Sequence, residues 1–231
     1  MDHYTEIYQK QTDKYHRMIS FEDVENNLLK TIRALVPLNG KNILDLGSGT
    51  GRLPLLFKQF EPTLIAVDSS YPMLRQQQTQ TRLVRGDWNL VQADIRSLPI
   101  RDDWAEVTTA GWAAGHFCGW YPDTWQLNID RFVTEMLRVT KPSGSLFIME
   151  TFGTGKELPS PPTKSLAQYY EKLEKQWGFA RGVIRTDYQF SSLAEAKENT
   201  TFFFGDALAQ QIDEKGWQIL PEWTGVWHRI K

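Results

Sequence analysis

Short, almost wholly apolar runs alternate along this chain with longer segments in which apolar residues return every three or four positions. The runs at 42–46, 63–67, 90–93, 104–110 and 145–149 have the length of strands, and the first is aliphatic enough for a parallel strand buried on both faces. Between and around them the period lengthens. Phe21, Val24, Leu28, Ile32 and Leu35 step by three or four, so residues 21–36 read as an amphipathic helix, opened by a Ser20/Asp23 capping box and stopped by Pro37. Trp125, Ile129, Phe132 and Met136 form a second stripe, on a helix whose start is marked by Asp123 and Gln126 behind Pro122. That stripe is core, not a binding face. Residues 165–177 carry a third, with Leu166, Tyr169, Leu173 and Trp177 on one side and Gly178 at its end. Beyond it, residues 183–190 alternate as a strand. A short helical stretch near 193–198, an aromatic run at 202–204, a helix over 206–215 closed by Gly216 and a last strand within 218–230 complete the pattern.

The first strand runs straight into a loop rich in glycine: NILDLGSGTG, residues 42–51, delivers Asp45 and then Gly47, Gly49 and Gly51. Glycine supplies the positive φ angles and close backbone approach that a tight turn needs. Residues 52–58 follow as a helix with Pro54 in its first turn, where a missing N–H costs little, and a helix start offers free N–H groups to an anionic ligand group. Strand, glycine turn and helix are common to several nucleotide-type cofactor sites, and the spacing separates them. A dinucleotide G-x-G-x-x-G starting at Gly47 needs a glycine where Arg52 stands; one starting at Gly49 needs it in place of Pro54. A nicotinamide-dependent oxidoreductase is therefore disfavoured.

The pattern Asp45-x-Gly47-x-Gly49-x-Gly51 resembles the first motif of the class I S-adenosylmethionine-dependent methyltransferases. The likeness continues in order: a second strand ending in Asp68, a third followed by Asp94 and Ile95, a fourth with the exit loop GWAAGHF, and EMLRVTKPSGSLFIME at 135–150 as helix, turn and fifth strand. It covers residues 40–152, about half the chain. The resemblance implies an α/β fold: a three-layer, Rossmann-like, seven-stranded, mostly parallel sheet with an antiparallel last strand and helices on both faces. It also implies S-adenosylmethionine as cofactor. Asp45 and the loop at Gly47, Ser48, Gly49 and Gly51 would hold its methionine portion, Asp68 with Ser69 the ribose, and Asp94 and Ile95 the adenine, with Trp112 and Tyr15 beside them. Two readings stay open for the acids. Asp45 could only satisfy loop amides, and Asp68 could cap the helix that follows it.

Before residue 20 the chain is polar yet carries Tyr4, Tyr8, Tyr15 and His16. Members of the resembled family that act on small molecules fold such a segment over the cofactor as a lid; packing on the adjacent helix is the alternative for Tyr4 and Tyr8. The expected organisation is a single methyltransferase domain over 1–231: an N-terminal lid and helix (1–38), a cofactor-binding core (40–152) and a C-terminal part (153–231). Residues 191–204 of that last part are the candidate substrate cover or dimer contact.

Composition narrows the setting. A chain of 231 residues with 41% hydrophobic content can bury a full core. With 26 basic and 28 acidic residues its net charge is −2, which is not the footprint of a nucleic-acid binder. The single cysteine, Cys118, excludes an intrachain disulfide. No secretory signal and no run of about 18 apolar residues is present, so a soluble cytoplasmic protein without a membrane partner is expected, as monomer or homodimer.

Methyl transfer from a sulfonium is an in-line displacement in which alignment carries most of the catalysis. Trp112, Phe117, Trp120 and Tyr121 are candidate cleft walls. His116 is the candidate general base, its imidazole near neutral pKa at a strand exit, with shaping of the loop as the other role open to it. Glu150 and Thr151 are second choices, and Cys118 reads as a buried hydrophobe. The resemblance narrows the class by absences. The family's nucleic-acid amino-methylating enzymes carry Asp/Asn-Pro-Pro-aromatic where this chain has GWAAGH, and a base-carbon enzyme needs Pro where Phe117 stands. No catechol-type metal triad is found. A small-molecule acceptor remains, in the manner of the ubiquinone/menaquinone C-methylase-like and type 11 members; a catalytically silent cofactor-binding subunit is the alternative.

Overall fold

A computed structural model describes residues 2–231. In chain order the elements are α1 (His3–Lys10), α2 (Thr12–Ser20), α3 (Asn27–Leu35), β1 (Asn42–Leu46), α4 (Arg52–Phe57), β2 (Thr63–Asp68), α5 (Tyr71–Leu83) and β3 (Asn89–Gln92). Then come β4 (Ala105–Gly111), α6 (His116–Trp120), α7 (Trp125–Val139), β5 (Thr140–Thr154), α8 (Lys164–Lys175), β6 (Ala180–Arg185) and β7 (Tyr188–Gln189). The chain closes with α9 (Leu193–Phe204), α10 (Asp206–Lys215), β8 (Ile219–Leu220) and β9 (Glu222–Ile230).

The main sheet has seven strands in the order β3-β2-β1-β4-β5-β9-β6. Strands β3, β2, β1, β4 and β5 pair in parallel, while β9 pairs antiparallel with both β5 and β6. One strand thus runs against the other six, as the sequence predicts. Crossover helices are what parallel strands require, and they leave a core on each face of the sheet. On one face α7 brings the predicted stripe Trp125, Ile129, Phe132 and Met136, together with Tyr169 and Leu173 of α8; on the other, Leu28 and Ile32 of α3 pack with Leu53 and Phe57 of α4. Among the described residues no helix is long and apolar enough to cross a membrane.

Four local expectations are corrected. The helix expected over 21–36 starts only at Asn27. Ser20 ends α2, its hydroxyl donating to the Arg17 carbonyl at 2.6 Å, and residues 21–26 are drawn to the sheet: Gln189 N–H donates to Phe21 O and Asp23 N–H to Asp187 O, both at 3.0 Å. Asp23 still caps, but for α3, accepting from the Asn27 and Leu28 amides at 2.8 and 3.1 Å. The Asp123/Gln126 box is also absent; Thr124 is the N-cap of α7 and makes no side-chain cap bond.

The strand expected over 183–190 is two strands. Strand β6 loses its partner where β9 begins, and β7 pairs instead with β8 in a separate two-stranded sheet. Pro221 lies between β8 and β9, where it has no N–H to continue a ladder. The converse holds at 193–204. The short helix and the aromatic run are one helix, α9, capped by Ser192, whose hydroxyl accepts from Glu195 N–H at 3.1 Å.

Asp23→Ala removes two amide acceptors from a buried helix start. It should lower unfolding free energy by about 1–2 kcal/mol, read by urea titration, with Asp23→Asn losing less; equal stability of all three would show that Asp23 does not cap α3.

Candidate active site

Parallel strands end together, so the loops leaving β1 to β4 converge on one edge of the sheet and wall a cleft of about 360 Å³. Along that edge, in the order β3, β2, β1, β4, stand Asp94, Asp68, Asp45 and Trp112. Three inter-strand gaps make the row roughly 14 Å long. Every predicted cofactor residue except Gly51 lines this cleft: Tyr15, Asp45, Gly47, Ser48, Gly49, Asp68, Ser69, Asp94, Ile95 and Trp112. Gly51 is the N-cap of α4, one residue behind it.

The loop is held from three sides. Gly47 has φ +67°, and a Cβ there would collide with the Ala113 Cβ, so only glycine lets the β4 exit loop close against it. Asp68 takes the Gly49 N–H on Oδ2 and the Ser70 N–H on Oδ1, both at 2.8 Å, leaving each oxygen able to accept another donor. The Ser70 bond is the local turn that the capping alternative foresaw, made by a carboxylate that also borders the cleft. Beneath the loop, the buried Gln77 amide donates to the Ser48 hydroxyl and the Gly49 carbonyl at 3.0 Å each and accepts from Trp88 Nε1 at 3.1 Å.

Burial acts on all these acids. It raises Asp68 against the opposing pull of its amide donors, and it pushes Asp45 up to about 7 although the Thr109 hydroxyl donates to it at 2.6 Å. The donor recorded for Asp45 is thus a β4 side chain, not a loop amide. Asp94 behaves differently. Arg96 clasps it with Nε at 2.9 and 3.1 Å and with its backbone N–H at 2.8 Å, which holds the carboxyl below its usual range. Arg96 also donates to Asn128 at 2.6 Å and lies 5.0 Å from the ring centres of Phe117 and Tyr121. Any adenine amino group at that end would share Asp94 with Arg96.

At the other end Trp112 adopts φ +51°, a left-handed conformation rare for a bulky residue, and its ring lies 3.9 Å under the Arg52 guanidinium. The cleft is covered by aromatic rings from distant parts of the chain. Tyr8 hydroxyl and His116 Nε2 are 3.0 Å apart in hydrogen-bond contact, His116 stacks on Trp120 at 4.8 Å, and Phe203 of α9 meets Tyr4 and Tyr15 at 5.1 and 5.6 Å. Tyr8 lines the cleft and Tyr4 packs on His116 and Phe203, so neither packs only on its own segment. Burial lowers His116 to about 4, so the near-neutral imidazole expected from sequence is instead a weakly basic, unprotonated ring.

Glu150 does not line the cleft. It is buried, accepts the Gly115 N–H at 2.8 Å and the Tyr169 hydroxyl at 3.3 Å, and so pins the loop that carries His116. Gly115 permits this: a Cβ there would stand 2.8 Å from Glu150 Oε2. Cys118 is buried, as expected. Sequence reasoning passed over Gln77, Arg96 and Thr109. Two of these carried a signal, Thr109 as a polar residue inside an apolar run and Arg96 as a cation two residues past an acid.

The "Methyltransferase domain" family model matches residues 44–148. The chain is similar to the ubiquinone/menaquinone biosynthesis C-methyltransferase UbiE of Serratia proteamaculans, 26% identical over 172 residues, 68% of this chain and 64% of that relative. Among solved structures it resembles a SAM-dependent methyltransferase from Aquifex aeolicus, with a TM-score of 0.59 and 14% identity, covering 94% of this chain and 98% of the other. It also resembles phosphoethanolamine N-methyltransferase 2 of Haemonchus contortus in complex with S-adenosyl-L-methionine, with a TM-score of 0.61 and 17% identity, covering all of this chain and 60% of that one. The strand order and the likeness to these structures show a Rossmann-like methyltransferase fold. Over residues 44–148, just under half of the chain, the protein is similar to the methyltransferase domain family.

Burial raises Glu150 from 4.5 to about 8, so its uncharged form is favoured in the folded protein. The associated stability is present below about pH 4.5 and is lost as pH rises towards 8, by roughly a few kcal/mol. Glu150→Gln keeps the acceptor and removes the titration. Its Tm should fall less than that of the wild type between pH 5 and 8; parallel slopes would exclude Glu150 as the titrating group.

Proposed function

We propose that this protein transfers a methyl group from S-adenosylmethionine to a small-molecule acceptor, as a soluble cytoplasmic enzyme. The observation that supports this best is the row of carboxylates at three neighbouring strand ends beside a glycine loop. Those acids are the acceptors that an ammonium, a ribose diol and an amino group call for, in an order that runs along one edge. In this reading Asp45 and the amides of Gly47, Ser48, Gly49 and Gly51 hold the methionine portion, Asp68 and Ser69 the ribose, and Asp94 and Ile95 the adenine. Tyr15 and Trp112 flank the methionine end.

The bound cofactor supplies an electrophilic methyl on a positively charged sulfur. The protein's part is alignment, exclusion of water by the rings of Tyr8, Tyr15, His116 and Trp120, and removal of the acceptor's proton. His116 is the group proposed for that last step. One of its ring nitrogens is unprotonated at neutral pH, and its low basicity suits an acceptor already acidic enough to give up a proton readily. The enclosed cleft and the name of the UbiE relative favour a small organic acceptor.

Asp68→Ala should weaken S-adenosylhomocysteine binding well over tenfold, since charge-assisted bonds are worth about 1.5–3 kcal/mol, and calorimetry reads this directly. For the wild type, that ligand at a hundred times its dissociation constant should add ~2.7 kcal/mol of stability; indifference to it would remove the cofactor assignment. A screen for S-adenosylhomocysteine release across fractionated metabolites identifies the acceptor. With it in hand, His116→Ala should lower kcat, and full turnover would dismiss the imidazole as base.

A further inference from the structure

Arg96 is built into the cleft more firmly than a surface cation. Its Nη1 donates to Asn128 Oδ1 at 2.6 Å, and Asn128, buried on α7, is itself held by donating to the Thr124 carbonyl at 2.9 Å. The guanidinium lies 5.0 Å from the ring centres of both Phe117 and Tyr121. Its side chain is 22% exposed and that of Asp94 44%, and both line the cleft. At this end of the cleft a ligand therefore meets an anchored ion pair and not a lone carboxylate.

The pairing uses up Asp94. Oδ1 accepts the Arg96 backbone N–H at 2.8 Å and Nε at 2.9 Å, while Oδ2 accepts Nε at 3.1 Å and Nη2 at 2.5 Å. These contacts, all from one residue, match the roughly four lone-pair sites that a carboxylate has. Asp68, by contrast, takes one backbone amide on each oxygen and keeps acceptor capacity on both. The guanidinium is less fully used. Nε and Nη2 serve Asp94 and Nη1 serves Asn128, which leaves donors over from the five N–H groups such a side chain carries, and the bond from Nη2 to the Tyr121 hydroxyl is long at 3.5 Å.

That balance matters for a purine. Adenine presents an amino donor beside a ring-nitrogen acceptor; its deaminated form, hypoxanthine, presents a carbonyl acceptor beside a ring N–H. A carboxylate standing alone separates the two sharply, because it binds the amino group and repels the carbonyl oxygen. A carboxylate joined to a guanidinium offers an acceptor and donors side by side, with its charge already neutralised, and meets either edge. We infer that the Asp94–Arg96 ion pair makes the base subsite of this protein indifferent to the six-position of the purine, so that a 6-oxopurine nucleoside thioether is a ligand of the cleft alongside its adenine counterpart. This rests on the cofactor reading above and concerns the base alone. Arg96 is then the residue that sets base specificity.

Calorimetry on the full chain tests this with S-adenosylhomocysteine and S-inosylhomocysteine, which differs only in carrying a six-position carbonyl and a proton on the adjacent ring nitrogen. The wild type should bind the two within tenfold of each other. In Arg96→Ala the carboxylate of Asp94 is released to take the amino group and oppose the carbonyl, so the preference for S-adenosylhomocysteine should rise at least tenfold over that of the wild type. A purely structural role of Arg96 would weaken both ligands together, and a ratio that stays within tenfold of the wild-type one overturns the inference. A wild-type preference beyond tenfold in either direction overturns it as well. Should Arg96→Ala not fold, Arg96→Gln, which fills more of the same space, is held to the same ratio. A wild type that binds neither ligand overturns instead the cofactor reading on which the inference rests.

Discussion

A carboxylate taken out of water has to be met by donors, and at the C-terminal edge of this sheet three acids stand within a few strand widths, Asp45 buried, Asp68 half-buried and Asp94 exposed. Each is met differently. Asp68 uses backbone amides of the glycine loop and of the turn after β2, Asp45 uses a threonine from the next strand, and Asp94 uses an arginine two residues on. The consequences spread outward from the first of these. Because Asp68 fixes Gly49, and Gln77 fixes Ser48 from below, the loop cannot relax away from the sheet. The β4 exit then closes against Gly47, and Trp112 is forced into the left-handed conformation that carries its ring under Arg52.

The same edge explains the cover. A cleft open to solvent would weaken every polar contact inside it, and this chain closes it with rings instead of a long hydrophobic lid. Tyr4, Tyr8 and Tyr15 arrive from the first two helices, Phe203 from α9, and His116 and Trp120 from α6. The closure is fastened by a small number of polar contacts, among them Tyr8 with His116 and Tyr8 carbonyl with the Ser70 hydroxyl at 3.2 Å. Contacts of this kind can be broken and remade one at a time. Burial of His116 belongs to the same closure: water is removed from its ring, and the ring becomes less basic as a result.

Much of this was legible along the chain, because it depends on signals local to it. Apolar runs of strand length, a helical stripe such as Trp125, Ile129, Phe132 and Met136, and glycines that must occupy positive φ are written into short windows, and the order of Asp45, Asp68 and Asp94 after successive strands located the cleft. The motifs along the chain therefore determined, through the family they resemble, the fold class with its antiparallel last strand and the edge on which the site stands; the strand order came from the structure. What it did not determine lies where two remote segments compete for the same backbone groups. Residues 21–26 have helical periodicity but leave the helix because β7 and the turn before it offer hydrogen bonds, and residues 183–190 alternate like one strand but split where β9 begins. The charge state of His116, the engagement of Asp94 by Arg96 and the stacking of Arg52 on Trp112 were likewise decided only by tertiary structure. Desolvation and hydrogen-bond satisfaction are set by what packs around a group in three dimensions, and no spacing along the chain encodes them.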